Sequence, residues 1–484
     1  MVRGLIGHFV AFVALLAAGV SAAQDGTPPA LTIDEVLASS EQHYPRILEA
    51  LAVQRAASGR ALEADGSFDL VFSGGGFSRV GGYYDGTAVE GVAKQPLPSF
   101  GSTLYAGYKL SDGEFPIYED EYYTNTGGAF KVGVLFSLLR DRTFDDRRFR
   151  QRDAAIEMRQ AELDILLTKI GVQEQATIAY WRWVTAGRQL KVYENLLRIS
   201  LDRQDALDEQ VRRGARAQIF LTENLQNITR RQTLVISARR TLNRAANTLS
   251  LYYRSAEGQP RIADAARLPP GATINEIYSI ATPAGTAINQ ALERRPELAL
   301  LKAAIEREQN RVRLTENNLK PRLDLNMEVQ QGLGSIAEGG PSRDSTDTIV
   351  GFTFSVPLQR REGQGRLERS AAEIDAKRQQ QRLREEQIEI EVRNLLVDLN
   401  VTRELLLLAA QEVQQSEILR ASELRRFQSG ASDFFLLNVR EETAADARIK
   451  QLQAELELRI ARANYDAATV NTDELGISTE YLGP

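Results

Sequence analysis

The chain is written twice, and no other feature of the sequence limits its fold as strongly. Tyr44-Pro45-Arg46-Ile47 aligns with Arg295-Pro296-Glu297-Leu298, and Phe68-Asp69-Leu70 with Leu323-Asp324-Leu325. The offset changes by four residues between these two matches, about one helical turn. Further on, Val132-Gly133-Val134-Leu135-Phe136-Ser137 aligns with Val350-Gly351-Phe352-Thr353-Phe354-Ser355, and Arg213-Gly214-Ala215 with Ser429-Gly430-Ala431. The order is the same in both copies. Two such repeats are too few and too long for a solenoid, so they imply a duplicated unit with pseudo-twofold character.

Each repeat reads as helix, strand, loop, strand, very long helix, glycine break and helix. In the first repeat, 24–252, the helix covers 31–64 with an interruption at Pro45. Strands are expected near 67–74 and 129–138, a long helix over 142–212, and a last helix over 218–252. In the second repeat, 287–470, the pieces are 287–319, strands near 322–331 and 346–356, then helices 363–427 and 432–470. A linker, 253–286, carries Pro260, Pro269, Pro270 and Pro283, and 471–484 reads as a flexible tail.

The long helices rule out a compact globular domain. At 1.5 Å per residue, a helix of about 70 residues extends about 105 Å. Ile388, Val392, Leu395, Leu399, Thr402, Leu406, Ala409 and Val413 are spaced alternately by four and three, a heptad seam for left-handed coiled coils. The strands alternate. Leu323, Leu325, Met327 and Val329 are apolar, while Asp324, Asn326, Glu328 and Gln330 between them are polar. Val350, Phe352, Phe354 and Val356 share one face, as do Val132, Val134, Phe136 and Leu138, and Phe68, Leu70 and Phe72. Segments of about ten such residues suit a membrane β-barrel, apolar toward lipid and polar toward a wet lumen. A half-buried strand of a soluble sheet alternates identically.

Closure then sets the assembly. Membrane strands cannot leave an open edge in lipid. Four strands per chain are too few for a barrel, since about eight is the minimum. Two chains would give eight strands, filled by side chains, and three would give twelve with room for a lumen.

Composition narrows the chemistry. The 484 residues include no cysteine, which excludes disulfides, thiol catalysis and a lipidated N-terminal cysteine. The formal charge of −6 gives no footprint for nucleic acid. The two histidines are His8 and His43, too few for a multi-histidine metal site. Residues 1–23 read as a secretory signal: Arg3, the apolar stretch Phe9–Val20, then Ser21-Ala22-Ala23. A membrane anchor is the other reading of that segment, but the apolar stretch is short for a span. Gly74-Gly75-Gly76 lacks the Gly-Lys-Ser/Thr of a phosphate loop and is placed at a strand end. Trp181 and Trp183 read as packing residues of the long helix. No catalytic constellation, cofactor site or metal site is found, so the chain does not read as an enzyme.

Taken together, the residues resemble the TolC-type outer-membrane factor family over roughly 31–470. Besides the duplication, two local signatures carry the resemblance. One follows the second strand of each repeat: Phe136-Ser137-Leu138-Leu139-Arg140-Asp141-Arg142, and Phe354-Ser355-Val356-Pro357-Leu358-Gln359-Arg360. The family often has Pro-Leu here, which the second repeat keeps at Pro357-Leu358. The other is the glycine turn Arg426-Phe427-Gln428-Ser429-Gly430-Ala431-Ser432-Asp433.

The resemblance implies a mixed α and β membrane protein, a homotrimer. A twelve-stranded outer-membrane β-barrel would continue into a periplasmic α-helical coiled-coil barrel. It implies a Gram-negative outer-membrane location with a large periplasmic portion, without lipidation. It implies a passive exit duct for a tripartite efflux pump or a type I secretion system, with a periplasmic adaptor (membrane fusion) protein and an inner-membrane RND or ABC transporter as partners. Val132, Val134, Phe136, Leu323, Leu325, Val350, Phe352 and Phe354 would face lipid. Gly214, Ala215, Arg216, Gly430, Ala431 and Asp433 would lie at the periplasmic tip where adaptors dock.

This sequence departs from the family at two places. Aspartates common some six to nine residues after the second glycine are replaced by Leu436 to Val439, leaving Asp433. Asp433 fits either a cation-attracting ring or a helix cap, and Arg216 is a partner for it in a closed state. The loop 75–128 is long and holds Tyr83, Tyr84, Tyr105, Tyr108, Tyr118, Tyr122 and Tyr123, which fit an aromatic girdle or a plug; Ser102–Leu110 fits an extra strand. The alternative to a channel is a soluble periplasmic coiled-coil scaffold.

Overall fold

The computed structural model describes residues 29–270, 283–336 and 345–478, so the signal segment lies outside the described residues. Among the described residues, eight α-helices and six strands are set out in two matching runs. The first is α1 (Ile33–His43), α2 (Pro45–Asp65), β1 (Val71–Ser78), β2 (Thr87–Pro96), β3 (Thr103–Asp112), β4 (Ala129–Ser137), α3 (Asp146–Arg212) and α4 (Gln218–Leu249). The second is α5 (Ala284–Arg294), α6 (Pro296–Asn318), β5 (Arg322–Gly332), β6 (Thr346–Ser355), α7 (Arg361–Gln428) and α8 (Phe434–Ala468).

Local chemistry sets the helix ends. Tyr44 and Arg295 precede Pro45 and Pro296, and both are held extended, at ψ 124° and 122°. A residue before proline disfavours the helical region, so each repeat begins with two helices where the second was expected to have one. Asp145 caps α3 by accepting from the Arg148 N–H at 2.9 Å, which starts that helix four residues after Arg142.

All six strands form one antiparallel sheet in the order β1-β2-β3-β4-β5-β6. Two corrections follow. The chain contributes six strands, because β2 and β3 form a hairpin between the strands expected on either side of it. A barrel counted from four strands per chain therefore no longer follows. The first strand also starts later: Phe68 lies in a 3-10 turn over Gly66–Phe68, with the Asp69 N–H bonded back to the Gly66 carbonyl at 3.1 Å. Gly74, Gly75 and Gly76 consequently sit inside β1.

The helices form a layer with α3 central. It packs on α2 and α4 along one side and on α6 and α8 along the other, and α7 packs on α5, α6 and α8. Around α3 the core holds Trp183, Leu31, Leu249 and Tyr253. The expected α7 seam is in place: Ile388, Val392, Leu399 and Leu406 are buried, and the other four positions are half-buried. The linker is fastened by Arg267, which donates to both Glu35 oxygens at 2.6 and 3.2 Å, and the Tyr253 hydroxyl donates to the same carboxylate at 2.9 Å. The tail is not loose over its described part. Leu475 and Ile477 are buried against Leu166 and Ile170 of α3, and the Ser478 hydroxyl donates to Glu41 at 2.7 Å. Apolar side chains that cover an α3 groove outweigh the polar character of the surrounding segment.

Candidate functional site

The sheet is a wall with two unlike faces. Register places Val132 opposite Val329, Val134 opposite Met327, and Phe136 opposite Leu325. Leu323 pairs with Phe354, Leu325 with Phe352, and Met327 with Val350. All eight residues expected to face lipid thus share one face. Val132, Val350, Phe352 and Phe354 are exposed there, Phe352 at 80%. Among the described residues no helix is long and apolar enough to cross a membrane.

The opposite face is polar and bonded across strands. Glu90 on β2 pairs with Lys131 on β4 at 2.6 Å, passing over β3 at Gly107. A side chain on Gly107 would meet the Lys131 stem at 3.0 Å. Likewise Tyr105 on β3 crosses β4 at Gly133 to donate to Glu328 at 2.6 Å and Asn326 at 2.9 Å on β5. A Cβ on Gly133 would lie 2.3 Å from that ring. Ser137 donates to Asp324 at 3.1 Å near the lower end. The tyrosines divide by register. Tyr105 is on the polar face, and Tyr108 is on the apolar face with its hydroxyl on the Gly127 carbonyl at 2.7 Å. Tyr122 and Tyr123 pack with Phe115 at centroid distances of 5.8 and 5.1 Å, among the loops beyond the strands.

At the far end of the helices the two glycine turns are built alike. Gly214 has φ 71° and Gly430 φ 76°. The Ala215 N–H reaches the Gln210 carbonyl at 2.9 Å, and the Ala431 N–H reaches that of Arg426 at 2.9 Å. This is the Schellman closure, in which a left-handed residue satisfies the last helix carbonyls, and glycine takes that conformation without the Cβ penalty. Asp433 is the cap of α8, accepting from the Leu436 N–H at 2.7 Å. Arg216 lies over the rings of Phe427 and Phe220, 5.0 and 5.4 Å from their centroids, so it engages aromatic rings and Asp433 engages backbone.

The sequence reading missed what holds the tip together. Phe434 is fully buried against Phe220 and Phe427, with Arg203 over its ring at 5.4 Å. Deeper in, Glu441 of α8 accepts from Arg203 of α3 and from Arg231 of α4, the latter at 3.1 Å. Arg231 also donates to the Leu196 carbonyl at 3.0 Å and to the Ser200 hydroxyl. Arg231 is wholly buried and Glu441 is 3% exposed. Burial pulls the Arg231 guanidinium below its ordinary range, against the opposing charge of Glu441. A phenylalanine just after each glycine turn, at Phe220 and Phe434, was the available signal. Among the described residues no group of histidines and carboxylates is arranged to hold a metal ion.

Known proteins bear out the family. Residues 287–469, nearly all of the second repeat, match the family model described as outer membrane efflux protein. A comparison with curated proteins found no match. Among solved structures, the chain is similar to the Campylobacter jejuni CmeC outer membrane channel, with a TM-score of 0.61, 13% identity and 99% of each chain covered. It is also similar to the open state of the Neisseria gonorrhoeae MtrE outer membrane channel, with a TM-score of 0.62, 12% identity, and 90% and 88% covered. The Vibrio cholerae outer membrane protein VceC aligns at a TM-score of 0.61, 14% identity, and 90% and 95% covered. At these identities the likenesses establish the fold. The second repeat carries the sequence pattern of the outer membrane efflux proteins, and the whole chain shares the fold of outer-membrane channels. The family match and the shared fold support an outer-membrane exit duct of an efflux pump.

Proposed function

We propose that three copies of the chain close into one duct, a β-barrel in the outer membrane standing on a periplasmic helical barrel. The supporting observation is that the sheet and the helical layer expose the same two sides. On one side are the free edge of β6 and α7; on the other are the free edge of β1 with α2 and α4. Besides its buried seam, α7 exposes a second apolar stripe along Leu383, Ile390, Val397, Val401, Leu405 and Leu408. Leu48, Val53 and Leu62 of α2 and Ile219, Leu225 and Ile236 of α4 are exposed on the other side. Unlike sides that meet head to tail close a ring where the rotation from copy to copy closes. Inside the chain α3 packs on α6 and α8; the duplication makes α7 packing on the next copy's α2 and α4 the equivalent contact.

The tip turns around Gly214 and Gly430 would be the end that an adaptor meets, with an inner-membrane transporter supplying the energy. Gly74-Gly75-Gly76 lies within a strand, so this chain offers no phosphate loop of its own there.

Detergent-purified protein in planar bilayers tests the proposal, together with its native mass. Stable conductance steps from a species of three chains are expected. Val397→Glu with Leu408→Glu should split it into monomers, and Phe352→Arg should block membrane assembly where the neighbouring Thr353→Arg does not. A well-folded, water-soluble monomer without conductance would instead favour the scaffold.

A further inference from the structure

We propose that the hairpin β2–β3 is part of the transmembrane wall, so that each chain gives six spanning strands and the closed barrel has eighteen. The eighteen rests on the three-copy reading above; the six does not. Three observations carry it. First, the hairpin does not lie over the barrel mouth. It is paired over 87–94 to β1 on one side and over 103–109 to β4 on the other, and β1 touches β4 nowhere in the sheet. Removing it would leave a gap rather than a complete sheet.

Second, the hairpin keeps the two faces of the wall. Register puts Val89, Leu104, Ala106 and Leu110 on the face of Val132 and Phe352. The three charged residues between 88 and 110, Glu90, Lys94 and Lys109, all fall on the face of Asn326 and Glu328. A loop folded into water has no reason to sort its charges this way. Third, the hairpin is tied to the neighbouring strands by side chains that cross a whole strand. Glu90 crosses at Gly107 to Lys131, and Tyr105 crosses at Gly133 to Glu328. Each crossing needs a glycine beneath it, and each glycine is present.

The consequence is width. With strands about 4.8 Å apart and tilted about 40°, twelve strands give a backbone diameter of ~24 Å and eighteen give ~36 Å. Taking about 5 Å from each wall for side chains leaves a lumen of ~14 Å or ~26 Å. The wider barrel would not be the narrowest part of the path, and would pass cargo as bulky as a folded hairpin or a solvated helix.

The chain has no native cysteine, so single cysteines report cleanly. The assembled protein in lipid vesicles would carry one cysteine at a time at Val89, Leu104, Ala106 or Leu110, and at Glu90, Lys94, Lys109 or Ser111. A water-soluble maleimide should label the second set at least tenfold faster. A fluorophore at the first set should be quenched by a lipid-chain nitroxide. Electron microscopy of the same particles should show a barrel near 36 Å across. Equal labelling of both sets with a ring near 24 Å would overturn the hairpin's place in the wall and leave the three-copy reading intact. Alternating labels on a particle of another copy number would overturn the count of eighteen through the copy number alone.

Discussion

Glu441 is buried and accepts from two arginines, and its removal gives a quantitative test. Its carboxylate joins α8 to α3 and α4 through Arg203 and Arg231, at a site where Arg231 reaches no water. Breaking a buried pair by deleting one partner costs about 3–5 kcal/mol, because the remaining charge stays buried. Arg231 keeps its bonds to Leu196 and Ser200, which argues for the lower end, about 3 kcal/mol. That is about two decades in an opening equilibrium. Hydrogen exchange should therefore quicken about 100-fold in the tip halves of α4 and α8 in Glu441→Gln, with the strands unchanged. The exposed pair of Glu412 on α7 with Lys450 on α8, at 2.9 Å, serves as control: Glu412→Gln should move the same amides less than about fivefold. Pairing Glu441→Leu with Arg231→Met should recover more than half of the loss, since a packed apolar pair replaces a buried ionic one at little cost. An acceleration below threefold in Glu441→Gln, or a double variant worse than the single, would refute the reasoning.

Three further outcomes are expected. Gly214→Ala and Gly430→Ala, where a Cβ meets nothing within 4 Å, should each destabilise their turn through backbone strain alone, by about 1–2 kcal/mol, read as faster exchange confined to the tip. Hydrogen bonding to Arg267 holds the Glu35 carboxyl below its ordinary value of 4.5, so its contribution is complete above that pH and is lost as pH falls through the lower folded value. Protection of α1 should fade on that acid limb, and Glu35→Gln should flatten the limb. Leu475→Ala or Ile477→Ala should loosen the tail by about 2 kcal/mol each and expose the α3 segment around Leu166 to limited proteolysis.

The sequence was most legible where one physical signal dominated. The α7 seam and the strands β1, β4, β5 and β6 stood out because large apolar side chains recur at the helical or the strand period. The break at Tyr44 was legible from Pro45, whereas the break at Arg295 was missed although Pro296 carries the same signal. β2 escaped because its apolar face is written in Val89, Gly91 and Ala93, residues too small to raise a hydrophobic alternation. Only the register with β1 and β3 reveals that face. The start of β1 was misplaced for the opposite reason, since Phe68 and Leu70 continue the alternation of Phe72 while the backbone is still turning. The tip glycines were legible from the repeat. The Arg203–Glu441–Arg231 cluster was not, because its members are scattered over three helices and each is an ordinary charged residue of a solvated-looking surface.

The duplication also makes the joint inside one chain a counterpart of the joint proposed between chains. Within a chain, β4 of the first repeat pairs with β5 of the second, and α3 packs on α6 and α8. Between chains, β6 of the second repeat would meet β1 of the first, and α7 would meet α2 and α4. The ring is then six half-subunits arranged alternately, with a peptide linker spanning every other seam. The extra hairpin lies in only one kind of half, so the proposed ring would be threefold in its strands while remaining close to sixfold in its helices. In such a ring the junction where strands pass into helices would absorb that mismatch.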